Sequence, residues 1–169
     1  LVVEGKTPKE LFGGRLASIM EELKAQTGGL WYLKLLRDEG LIDQQRLEQA
    51  YLKAITWAFG HISRGMFTPG GNVRTYSQVA AVQVGRFMEQ GALSFSRGRF
   101  TIHFDRLPAA IEELMKRVGR IKATGDSKAA QALVDRYIKG EGHALVHEQL
   151  IARKLLRLPK ATFLYSVKR

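Results

Sequence analysis

The segment Val79-Ala80-Ala81-Val82-Gln83-Val84 is apolar on nearly every side of a helix. A helix without a polar face must be covered from several directions at once. The chain is therefore expected to fold as several elements around one central helix, running from about Tyr76 to Gln90 and stopped by Gly91. Val79, Val82 and Phe87 should be buried in it. With 169 residues, 45% of them apolar, there is enough chain to build the cover. Helix formers dominate the long segments and Pro is sparse, so the class is mainly α.

The covering elements can be read in order. Thr7-Pro8-Lys9-Glu10 has the form of a capping box with Pro in the first turn. Gly13-Gly14 ends or kinks that short helix. A longer helix follows over residues 16–37, with Leu16, Ile19, Leu23, Leu30 and Leu33 at apolar spacing. Gly28-Gly29 inside it costs about 1 kcal/mol per residue against Ala, which points to a close-packed neighbour. Asp43 caps a helix whose inner face carries Leu47, Tyr51, Ala54, Ala58 and Ile62. Residues 65–75 are a loop. Residues 92–95 and 100–104 pair as a small hairpin around Ser96-Arg97-Gly98-Arg99. Asp105 is expected to cap the next helix, which faces Leu107, Ile111, Leu114 and Val118 inward. Thr124-Gly125-Asp126 breaks the chain before a helix over residues 129–138. A last helix spans residues 143–156 and ends at Leu158-Pro159, and the tail from Ala161 to Val167 is extended. The expected architecture is one multi-helix domain with one small β-hairpin, covering 1–169.

Cysteine is absent, which excludes disulfides, thiolate metal sites and thiol nucleophiles. No stretch approaches the roughly 20 apolar residues that span a bilayer. Lys6, Lys9 and Glu10 interrupt any signal-peptide core. A cytoplasmic location is expected. The first residue is Leu1, which is read as the start of a trimmed or truncated part of a larger protein. The net charge of +11 is carried late, by Lys116, Arg117, Arg120 and Lys122, then Arg153, Lys154, Arg157 and Lys160, then Lys168 and Arg169. A basic surface of this kind attracts nucleic acid, anionic membrane or an acidic partner. No helix-turn-helix spacing, finger or stacking platform accompanies it.

The candidates for chemistry are few. Glu21 and Glu22 are adjacent carboxylates on a helix that turns apolar on its far side; two solvated helix residues would look the same. His143 and His147 lie four apart on one helix face, so both could reach one metal. Ala144, Leu145 and Val146 stand where a catalytic pattern would place a glutamate, and a pair of surface histidines explains them equally well. His61 reads as a helix-end charge and His103 as a solvated strand residue. Arg74, Tyr76, Gln78, Gln83 and Arg86 border or punctuate the central helix and need partners if buried.

The run Glu21-Glu22-Leu23-Lys24-Ala25-Gln26, with Gly29-Leu30-Trp31-Tyr32-Leu33 after it, resembles the second zinc motif of the dipeptidyl peptidase III family, most closely its bacterial members. The resemblance continues in order through Phe87-Met88-Glu89-Gln90-Gly91-Ala92, then Gly98-Arg99-Phe100-Thr101-Ile102-His103-Phe104-Asp105, then Ile121 to Asp126. It covers roughly residues 21–137. The family implied is a zinc exopeptidase that removes dipeptides from the N-termini of short peptides. By this resemblance Glu22 is the metal-ligand position, Glu21 its neighbour, and Arg74, Tyr76, Gln78 and Arg86 face the substrate. Gln26 departs from the usual acidic residue and cannot orient a ligand histidine by charge. The histidine-bearing zinc motif does not occur before Glu21.

The implied function is an incomplete portion of a dipeptidyl-peptidase-III-like zinc metallopeptidase, inactive alone. Zinc would belong to the complete protein and not to this chain by itself. Its partner would be the missing N-terminal part of the same protein, or a second copy covering the exposed face; nucleic acid and membrane are not expected partners. The alternatives are a basic helical nucleic-acid-binding module and a structural descendant of the peptidase that has lost the chemistry. Glu22 is expected to face an open concavity bordered by residues 74–86, with exposed apolar side chains beside it.

Overall fold

The structure, a computed structural model, describes residue 3 and residues 5–150, the side chains of 147–150 excepted. The elements are α1 (Pro8–Phe12), α2 (Gly14–Asp38), α3 (Gln44–Ile62), α4 (Thr75–Glu89), β1 (Leu93–Ser96), β2 (Arg99–Ile102), α5 (Leu107–Thr124), α6 (Ser127–Ile138) and α7 (Glu141–Leu150). The class is mainly α with one antiparallel hairpin.

α4 is the hub. Residues Ser77 through Gly85 and Phe87 are all buried, and Val79, Val82 and Phe87 are wholly inaccessible. α2, α3, α5, α6 and α7 pack around it, and β1 sits against it. A continuous apolar surface on one helix thus dictates a shell of amphipathic helices, each lending one stripe. α3 contributes Leu47, Tyr51, Ile55, Ala58 and Ile62, and α5 contributes Leu107, Ile111, Leu114 and Val118.

Local chemistry sets most boundaries. Thr7 and Glu10 form the reciprocal capping box of α1. Asp43 accepts from the Arg46 amide at 2.7 Å and Asp126 from the Ala129 amide at 2.9 Å. α2 runs unbroken through Gly28-Gly29. A Cβ added at Gly28 would meet the Met115 side chain of α5 at 3.7 Å, whereas one at Gly29 would face open space, so only the first has the close neighbour expected. The hairpin turn shrinks to Arg97 and Gly98, at φ 48° and 75°. This left-handed pair matches the twist of the flanking strands.

Asp105 does not cap α5. The helix opens at Leu107 with Arg106 before it and no side-chain cap, while the His103 carbonyl accepts from Arg106 and Leu107. His103 is half-buried and bonded to Ser94 at 2.9 Å, not solvated. The expected end of the last helix, the 161–167 tail and the basic residues from Arg153 onward lie outside the described residues. Among the described residues no helix is long and apolar enough to cross a membrane.

Candidate functional site

Glu21 and Glu22 sit on the third turn of α2, and the structure treats them differently. The Glu21 carboxylate is paired with the ammonium of Lys122, which comes from the last turn of α5 and is only 3% exposed. The hydrogen bond from Lys122 holds the Glu21 carboxyl below its ordinary range, with the charges of Lys122 and Lys24 acting the same way. Glu22 is half-buried and makes no hydrogen bond or ion pair to the described residues.

Both carboxylates line an open concavity of about 500 Å³, together with Thr7, Pro8, Lys9, Gly14, Ala17 and Ser18. Glu22 therefore faces a recess, as expected. The border is different: α1 and the first turns of α2 form it, and no residue of 74–86 does. α4 meets α2 on the buried face instead, where Gln83 donates to the Thr27 hydroxyl at 3.1 Å. The exposed large apolar side chains of α2 are Trp31, Tyr32 and Leu35, more than two turns beyond Glu22 rather than beside it.

The four residues assigned to substrate are dispersed. Arg74 precedes α4 and donates to the Phe67 carbonyl at 3.2 Å. Tyr76 is exposed and stands over an aromatic pair, 5.9 Å from Trp57 and 5.5 Å from His61. Gln78 is buried and reaches the Met66 carbonyl at 3.4 Å. Arg86 is held between Glu89 at 2.9 Å and Glu113 at 2.7 Å. Burial acts to lower the Arg86 pKa, but the hydrogen bonds and charge of Glu113 and Tyr137 outweigh it and hold the guanidinium ionised.

His61 packs 4.3 Å from Trp57, and burial, then the nearby Arg64, lowers its pKa. It lies in the last turn of α3, where both effects favour its neutral form. His143 lies in the first turn of α7, and the side chain of His147 lies outside the described residues.

A zinc centre needs three protein ligands. Among the described residues no group of three His, Cys, Asp or Glu could hold a metal. Glu22 supplies one free carboxylate facing a recess, and the described residues do not complete the set. They fit a contribution to a metal site and not a whole one.

Reading the sequence missed Lys122, which it placed on the basic surface. The signal was present: Lys122 falls four residues after Val118 and eight after Leu114, on the apolar stripe of α5. A lysine there must be buried and needs an acid across the interface.

No family model matches the chain. Nudix hydrolase 3 of Arabidopsis thaliana is 31% identical over 121 residues, which cover 71% of this chain and 15% of that protein. Two solved structures share the fold. Dipeptidyl peptidase III from Caldithrix abyssi matches with a TM-score of 0.73 and 22% identity, over 92% of this chain and 29% of that one. Dipeptidyl-peptidase III from Corallococcus sp. strain EGB matches with a TM-score of 0.70 and 26% identity, over 92% of this chain and 28% of that one. The chain spans less than a third of either structure and a smaller share still of the Arabidopsis protein. Its helical fold is that of one portion of a dipeptidyl peptidase III.

Proposed function

We propose that this chain is the glutamate-bearing portion of a dipeptidyl-peptidase-III-like zinc peptidase, supplying Glu22 as one metal ligand and lacking the histidine motif. Alone it neither binds zinc tightly nor hydrolyses peptides. The observation that carries this reading is the unequal treatment of two adjacent carboxylates. Lys122 neutralises Glu21 from the buried side, and Glu22 is left half-buried, without a partner among the described residues and turned to an open recess. A carboxylate that accepts no bond from its own chain retains its full capacity to bind a cation. The fold supports the same reading, since it matches one portion of two dipeptidyl peptidase III structures.

In the complete protein, bound zinc would activate a water for attack on a peptide carbonyl. This chain would contribute a negative oxygen ligand and the rigid helix that carries it. Gln26, one turn after Glu22, adds an amide where the family resemblance implies a carboxylate.

Zinc titration followed by NMR of the side-chain carboxyls tests the assignment. Weak, millimolar binding is expected, with shifts centred on Glu22 and none on Glu21. A tight stoichiometric site that survives Glu22→Ala would refute it, and so would the absence of any shift at Glu22.

A further inference from the structure

A second recess lies on the other flank of α2 and shares no lining residue with the one at Glu22. It is smaller, about 200 Å³, and closes between the first turns of α2, the 67–73 turn, the start of α4 and the outer face of α6. Leu16, Ile19, Val134 and Ile138 form an apolar floor, each less than 9% exposed. Gln78 puts a polar side chain into this wall although it is only 3% exposed. Its side-chain bond to the Met66 carbonyl is 3.4 Å long, at the weak end of the range.

The charges at the mouth are not balanced. Asp135 is spent on Lys139 at 3.0 Å and accepts from Gln131 at 2.9 Å, so this acid and base cancel. Arg15 also lines the mouth, is exposed, and has no ion pair among the described residues. Arg15, without an ion pair among the described residues, therefore lines the same recess as an apolar floor and a buried amide. Pockets of this composition take ligands whose apolar body fills the floor and whose polar group meets the few fixed polar atoms. A guanidinium is suited to a carboxylate, which it can bind through two parallel hydrogen bonds.

We infer that this recess is a binding site for a small carboxylate with one branched apolar side chain, of the size and chemistry of a peptide's C-terminal residue. The apolar group enters between Ile19 and Val134, and the carboxylate meets Arg15. The inference does not depend on Glu22 being a metal ligand, because the two recesses are lined by different residues.

The test uses N-acetyl-leucine and N-acetyl-leucinamide as probes, titrated into the whole chain and followed by methyl NMR. Saturable shifts are expected at Ile19, Val134 and Ile138, with the acid bound about fivefold more tightly than the amide, the size of one exposed ion pair. Arg15→Gln, at an exposed position that keeps the fold, should abolish that preference. Val73→Phe should narrow the recess and weaken both probes. No saturable shift at these methyls up to about 50 mM probe, a concentration well above millimolar affinity, would overturn the inference. Equal binding of acid and amide would overturn it too, as would a preference that persists in Arg15→Gln.

Discussion

The Glu21–Glu22 end of α2 and the junction of α4 with α6 are both built from carboxylates and basic groups, yet they have opposite characters. At the junction every charge is spent. Glu89 receives Arg86, Arg136 at 2.8 Å and the Tyr137 hydroxyl at 2.6 Å, while Arg86 also reaches Glu113, which accepts from Gln90 as well. The Tyr137 ring is held between Gly85 and Gly142, whose missing Cβ atoms leave it room. At the α2 end only Glu21 is spent, and Glu22 is left over beside open space. Networks of paired charges that link three helices act as scaffold; a spare carboxylate in a recess is what a ligand needs. The difference teaches that residue type alone does not mark a site. Arg86 and Glu22 are equally charged candidates in the sequence, and only their partners tell them apart.

The comparison breaks most easily at its closed side. A Cβ added at Gly85 would stand 2.2 Å from the Tyr137 ring, inside contact distance. Gly85→Ala is expected to cost about 3 kcal/mol or more, at the upper end of overpacking losses, because a ring pinned from both sides cannot retreat. Urea denaturation measures this. Tyr137→Leu in the same chain should recover part of the loss. A Gly85→Ala variant as stable as the parent would mean that the junction is loose and the contrast unfounded.

The same junction should show itself in alkali. Burial, then the bond to Glu89, pushes the Tyr137 pKa up to about 12 from an ordinary 10. A pKa raised on folding contributes stability that is complete below the unfolded value and is lost as pH rises through the folded one. Stability is therefore expected to fall between pH 10 and about 12, by about 2 kcal/mol, with Tyr51, whose pKa burial also raises to about 12, adding to it. Tyr137→Phe should flatten that limb in equilibrium unfolding measured against pH. An unchanged slope would mean that the Tyr137–Glu89 bond contributes nothing to the junction.

How much of this was legible beforehand follows the range of the interactions. The burial of α4 came directly from the run Val79 to Val84, and the Thr7 and Asp43 caps from residues three apart. The hairpin came from Arg97-Gly98 between two apolar runs. Each of these is local in the chain. What could not be read depends on distant partners. Lys122 meets Glu21 across 101 positions, and Tyr137 meets Glu89 across 48. Gly85 looks like a defect in a helix until the ring from α6 is placed against it. His103 turns inward because Ser94 stands beside it on the neighbouring strand. Asp105 lost its expected role because the helix opened one residue late, leaving the His103 carbonyl to close the turn. The recess at Glu22 was foreseen, but not the elements that border it: how α1 folds back on α2 is fixed by Gly13, at φ 74°, and not by any helix periodicity.

The finest form of the comparison lies within two consecutive residues. Glu21→Gln leaves the ammonium of Lys122 buried without its counter-charge, because Lys122 has no other side-chain partner among the described residues. Glu21 is half-exposed, so solvent repays part of the loss, and a cost of about 1–2 kcal/mol is expected. The Glu21 pKa is lowered on folding, so its contribution is present above the ordinary carboxylate value and disappears as pH falls through the folded one. The wild-type advantage over Glu21→Gln should therefore shrink in acid. Glu22→Gln removes a carboxylate with no partner among the described residues, and a change within about 0.5 kcal/mol is expected at pH 7. Thermal unfolding of the two variants at pH 7 and at pH 3 decides the matter. If Glu22→Gln proved as costly as Glu21→Gln, Glu22 would be held by its own chain after all, and the reading of it as a spare ligand would fall. If both were neutral, Lys122 would find water or another acid, and the difference between the two carboxylates would be one of geometry alone.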